Sequence, residues 1–293
     1  MITSLESLRF LFAIMIFLHH FPVNGEGLFT AGGPCGVVFF MVLSGFVMSA
    51  GYANKVNRED FDCKSFMTKR LARLYPLHII CLIGFIGVRI IVSADIDWLS
   101  LLPNALLVQS WIPIKEIYFS GNAVSWCLAD MVFFYLMFPV IIRIKNSLNT
   151  KHLIVVCATI FIVYIILINI IPEHLTHALI YINPLFRIVD FIIGILLYDL
   201  YEALKDNKRV KKVYSSARNV NAIEIGSVVL LVLSLLAYPH IGNRFGYVML
   251  FWLPSSVLII SAALSYFHKC GLVGNVLNNR VLCSMGGVVS LSI

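Results

Sequence analysis

Eight long apolar stretches separated by short polar loops constrain this chain more than any other feature. They cover residues 8–23, 34–53, 74–93, 124–142, 153–172, 184–201, 222–239 and 247–267, and a ninth begins near Cys283 and runs to Ile293. Each is near the length needed to cross a bilayer, where every backbone N–H and C=O must find its partner inside the segment. Continuous apolar runs meet that demand as helices, whereas outer-membrane strands would alternate polar and apolar residues. The composition agrees: 60% of residues are hydrophobic and 13% charged, against about 25% charged in ordinary soluble domains. The expected fold is a single all-α polytopic transmembrane bundle over residues 1–293, with about nine helices, the last cut short at the carboxyl end.

Basic residues orient the bundle. Lys55, Arg58, Lys64, Lys69, Arg70 and Arg73 share one loop, Arg143, Lys145 and Lys151 the next on that side, followed by the run Lys205–Arg218 and by Lys269 and Arg280. The intervening loops hold Lys115 and Arg244. Positive loops stay inside, so the expected location is the plasma (inner) membrane with a cytoplasmic amino terminus. These loops account for the net charge of +7, which therefore signals contact with anionic lipid and no nucleic acid. Seven cysteines are scattered without a CxxC pair, a pattern of small buried residues with no metal site expected.

Polar groups inside the apolar stretches are the candidates for chemistry. Arg9 and His20 lie eleven positions apart in the first stretch. On a helix that separation is about 16 Å along the axis and about 20° around it, so both can look into one cavity at different depths. The alternative is that Arg9 snorkels to the headgroups and His20 marks the helix end. His19, about 100° away, faces elsewhere. Gly32, Gly33, Gly36 and Gly45, with Ser44 beside the last, read either as helix-packing positions or as an approach to a substrate cavity. Arg70 and Arg73 share a helix face just before Pro76 and can grip phosphates or simply anchor the loop. Trp126 reads as an interfacial belt residue. Asp130, one turn below it, is a candidate partner for a histidine or a substrate hydroxyl. Arg187 and Asp190 can neutralise one another, Arg89 snorkels outward, and His78 has an interfacial explanation. The loop 94–123 shows only ordinary turn and interfacial residues.

Taken in order, these strings resemble the acyltransferase-3 family of integral membrane acyltransferases. The resemblance is carried by R-x10-H at Arg9 and His20, GVVFFMVLSGF from Gly36, R-x-x-R-x-x-P at Arg70, Arg73 and Pro76, SWCLADMVFFYLMFP, and NPLFRIVDFIIGILL. It departs at Met131, where many members carry glutamate, with Asp130 next to it, and at the closing helix, which stops early. The resemblance implies about ten helices and transfer of a short acyl group, usually acetyl, from cytoplasmic acyl-CoA (acetyl-CoA as co-substrate) to a hydroxyl of a polysaccharide or other cell-envelope glycan. It implies His20 and Arg9 as catalytic residues and Arg70 and Arg73 as donor contacts, with Asp130, Trp126 and Ser44 supporting the substrate. His20 then acts as general base or as covalent acyl carrier. The rival expectation is a transporter of an anionic or lipid-linked solute. It would use the same polar residues as a path, although the chain shows no repeated halves.

Overall fold

The computed structural model describes residues 2–23, 26–27 and 29–292. Apart from a two-residue antiparallel pairing of Pro22–Val23 with Glu26–Gly27, the regular structure is helical. The nine apolar stretches correspond one for one to α1 (Thr3–His20), α2 (Gly32–Val56), α3 (Cys63–Ile91), α6 (Trp126–Ser147), α7 (Thr150–Ile170), α8 (Pro184–Lys205), α10 (Ala217–Ala237), α12 (Met249–His268) and α14 (Arg280–Ser292). Short helices fill the connections: α4 (Trp98–Ala105), α5 (Lys115–Tyr118), α9 (Lys208–Tyr214), α11 (Asn243–Gly246) and α13 (Leu272–Leu277).

Among the described residues, six helices are long and apolar enough to cross a membrane. A seventh crossing is possible if Glu173–Ile182 and Pro184–Lys205, bent by 44°, count as one. That bend falls at Asn183–Pro184, where proline disfavours a helical residue before it and supplies no N–H. The largest boundary shift from expectation is in α3, which starts at Cys63 because the Asp62 carboxylate caps it by accepting from the Lys64 amide at 2.9 Å. The KSFMTKRLARL run is rich in strong helix formers, so the helix continues through Pro76. Burial sorts the long helices. Two-thirds of the apolar windows of α2 and α12 (67% each) are covered by protein, against 11% for α7, the most apolar of the six. A helix apolar all round with so few covered residues has its natural solvent in lipid.

The helices form two compact units, one of Met1–Gly51 with Asp190–Leu291, the other centred on Tyr52–Val189. In the first, α1 and α2 meet through glycines: a Cβ on Gly32 would strike the Met15 carbonyl, one on Gly33 the His19 ring, and one on Gly36 the Ile16 side chain. Phe12 stacks on Phe39, with ring centroids 3.7 Å apart. α2 crosses α8 reciprocally, since a Cβ on Gly45 would meet the Phe191 carbonyl and one on Gly194 the Val42 carbonyl. The glycine-rich stretch of α2 is therefore a set of close helix contacts, to backbone at Gly32 and Gly45 and to side chains at Gly33 and Gly36, the packing reading of the sequence.

Also in this unit, α13 ties α10 to α1. Buried Glu224 of α10 accepts from the Gly271 and Gly274 amides at 2.9 and 3.0 Å, and Asn221 accepts from the Leu272 amide at 2.9 Å. At the far end of α13, the Ser7 and Thr3 hydroxyls of α1 donate to the Leu277 carbonyl and to Asn278 Oδ1. Carboxylate and amide oxygens thus satisfy the free amides of one helix end. The serine and threonine of α1 satisfy groups at the other.

In the second unit, α4 folds back along α3. The Tyr75 hydroxyl donates to the Ala105 carbonyl at 2.7 Å, and His78 Nε2 lies 2.9 Å from the Asn104 carbonyl. Asp97 starts α4 by accepting from the Leu99 and Ser100 amides. The segment read from sequence as an ordinary loop therefore reaches the middle of α3. Arg89, expected to snorkel, donates to the Asp95 carbonyl instead.

Candidate functional site

α1 is one unbroken helix from Thr3 to His20, so the separation of Arg9 from His20 is the full eleven residues of a straight ladder. Arg9 Nη1 donates to Glu6 Oε1 at 2.6 Å, one turn earlier on the same face, and the two side chains are 14% and 8% exposed. Burying a lone guanidinium is costly, and a carboxylate three residues away on one helix face offsets part of that cost. Glu6 Oε2 is buried and makes no hydrogen bond among the described residues. Glu6 is the residue that reasoning from sequence missed on this helix, although its i, i+3 spacing from Arg9 was readable.

At the other end of α1 the two histidines differ. His19 packs against Gly33 of α2, while His20 is exposed, with its ring 4.9 Å from that of His19 and nearly perpendicular to it. Ser44, half-buried on α2, belongs to the same unit.

Arg70, Arg73, Trp126 and Asp130 belong to the other unit. Arg70 and Arg73 stand one turn apart on α3, and Arg73 is exposed. Arg70 is half-buried among aromatic rings: its guanidinium lies 4.8 Å from the Tyr52 centroid and 5.7 Å from those of Phe66 and Tyr135. Ring faces carry negative potential, so this cradle holds the cation without cancelling its charge.

Trp126 is not the interfacial belt residue that hydropathy suggests. It is 5% exposed and tilts against Tyr181 at 5.1 Å, and Tyr181 in turn lies 5.6 Å beneath the Arg187 guanidinium. Asp130 and Arg187 are both fully buried, and both are within electrostatic reach of Cys127. In the first unit, Asp190 accepts the indole N–H of Trp252.

The position of Trp126 follows from a buried polar network just before it, which the sequence did not reveal. Asn104 Nδ2 donates to the Ser120 carbonyl at 2.7 Å and to Ser125 Oγ at 2.9 Å, Gln109 Nε2 donates to the same hydroxyl at 3.2 Å, and that hydroxyl donates to the Asn122 carbonyl at 2.6 Å. Carbonyls only accept, so the bond to Ser120 fixes the orientation of the Asn104 amide, and the bond to Asn104 fixes His78 as its Nε2–H tautomer. Asn104 Oδ1, Gln109 Oε1, Ser110 Oγ and His78 Nδ1 remain buried without a partner among the described residues. Such an array can accept hydrogen bonds from hydroxyl groups. Isolated Ser, Asn and Gln in a loop carry no spacing signal, which is why only the fold reveals them.

Comparison with known proteins sets these groups in context. A family profile described as an acyltransferase domain, that of the acyltransferase-3 family, matches residues 2–293. The chain is similar to acyltransferase MdmB of Streptomyces mycarofaciens, at 31% identity over 166 residues, 51% of this chain and 41% of that protein. It is also similar to an uncharacterized protein of Haemophilus influenzae, at 27% identity over 190 residues, 59% of this chain and 77% of that one. The match spans about two-fifths of the length of the Streptomyces protein. No solved structure matches the chain significantly.

Proposed function

The chain belongs to the acyltransferase-3 family, and from that premise we propose that it is a membrane O-acyltransferase. In this reading it moves an acetyl group from cytoplasmic acetyl-CoA to a hydroxyl of a polysaccharide or other cell-envelope glycan. The observation that supports it best is α1 itself. One continuous helix holds Arg9 against a buried carboxylate and leaves His20 exposed eleven residues away.

The donor enters at the cytoplasmic side, where Arg70 and Arg73 are its contacts. Glu6 takes one of the five N–H donors of Arg9, which fixes the guanidinium and leaves its other N–H groups to orient the donor. At the thioester, the acceptor oxygen attacks the carbonyl carbon as neutral His20 takes the hydroxyl proton. The C–S bond then breaks, and the imidazolium returns that proton to the departing CoA thiolate. Ser44, in the same unit as His20, supports the substrate in this scheme.

The test is transfer of label from radiolabelled acetyl-CoA to envelope glycan by purified protein. A general base contributes about 10²- to 10⁴-fold, so His20→Ala should lower the rate by that factor while the protein still elutes as a folded monodisperse species. Parental rates from His20→Ala would remove the assignment. Movement of a labelled solute with the thioester intact would favour transport.

A further inference from the structure

The turn joining α2 to α3 borders an open cavity of about 230 Å³. Three cations line it: Lys55 from the last turn of α2, Arg58 from the turn, and Lys69 from the start of α3. Three aromatic residues, Tyr52, Phe61 and Phe66, line it as well. Phe66 is buried and touches both of the other rings, at 5.1 Å from Tyr52 and 5.7 Å from Phe61, so the aromatic side is a packed floor.

Two carboxylates, Asp60 and Asp62, also border the cavity. Asp62 is engaged as the α3 cap. Residues 52–73 carry six Lys and Arg against three Asp and Glu, so the excess charge is positive. The same Tyr52 and Phe66 rings hold Arg70, and Lys55 Nζ lies 5.0 Å over Tyr52.

Cations beside aromatic faces suit a group that is anionic at one part and planar at another: phosphate oxygens accept charge-assisted hydrogen bonds, and a heterocycle packs on the rings. The volume lies below the roughly 300–1,000 Å³ of pockets that enclose a whole drug-sized ligand. The cavity therefore fits one end of a longer molecule.

We propose that this cavity receives the phosphate-bearing adenosine end of the acyl-CoA donor, with Lys55, Arg58 and Lys69 on its phosphates and the Tyr52, Phe61 and Phe66 rings against its purine. The assignment rests on the donor reading given above. It differs in placing the nucleotide in the α2–α3 turn, so that Arg70 and Arg73 are met by the chain of the donor leading into the bundle. An anionic lipid headgroup offers the same phosphate chemistry, and the test separates the two.

The full chain is reconstituted in nanodiscs of phosphatidylcholine and titrated calorimetrically with CoA and with pantetheine. Lys55→Gln/Lys69→Gln and Arg58→Gln are compared with the parent; all three side chains are exposed, so these changes leave the packing intact. The double variant should raise the Kd for CoA about 10-fold, the loss expected for two solvent-exposed charge pairs, and leave pantetheine unchanged. CoA binding equal to the parent's would overturn the pocket while the donor reading stands. An effect confined to phosphatidylglycerol nanodiscs, with CoA affinity unaltered, would overturn it in favour of a headgroup site. A parent protein that binds neither compound would refute the donor reading itself.

Discussion

Two arginines are kept in this protein by opposite means. Arg9 sits low in the opening helix with a carboxylate 2.6 Å away, so the pair is close to neutral as a whole. Arg70 lies on the faces of Tyr52, Phe66 and Tyr135, which stabilise it without removing its charge. The first arrangement lets a cation live inside an apolar helix. The second keeps one ready to meet an anion. The strength of the field at each place follows from this difference, which the residue type alone does not give.

The contrast is easiest to break at Arg9. Arg9→Leu leaves Glu6 as a buried carboxylate without its partner and should cost about 3–5 kcal/mol, read as a fall in the thermal unfolding midpoint, whereas Glu6→Gln/Arg9→Gln should recover much of that loss. Equal destabilisation by both would mean that the ion pair is not what seats the arginine. Arg70→Gln should be milder, about 1–2 kcal/mol, because it removes cation–π contacts and strands no opposite charge. Arg70→Lys, which keeps the charge but not the planar group, should fall between Gln and the parent in the same assay. Tyr52→Leu should cost no more than Arg70→Gln, about 0.5–1 kcal/mol for each of its two cations, and that cost should shrink to the part due to its packing on Phe66 when Arg70 is already Gln and Lys55 already Ala.

Hydropathy located the long apolar helices, six of which, or seven with the bent pair, could cross a membrane among the described residues, because a bilayer rewards uninterrupted apolar length and that quantity is local in sequence. It failed where apolar mass and helical structure part company. The first three turns of α3 are charged and helical, and only their helix-forming residues and Asp62 betray them. The spacings of Arg9 and His20, of Arg70 and Arg73, and of Glu6 and Arg9 are local and therefore legible in the sequence. The burial of Trp126 and the network of Asn104, Gln109 and Ser125 are not, because they depend on α4 turning back along α3. A contact between residues twenty-six apart, such as His78 with Asn104, leaves no periodic trace.

The tie made by α13 bears on how the protein is built during translation. The Ser7 hydroxyl of α1 rests on the Leu277 carbonyl, 270 positions downstream. α1 is synthesised well before α13 and so obtains this lateral support late, with the ionic pair within its own turn already able to form before the downstream helix arrives.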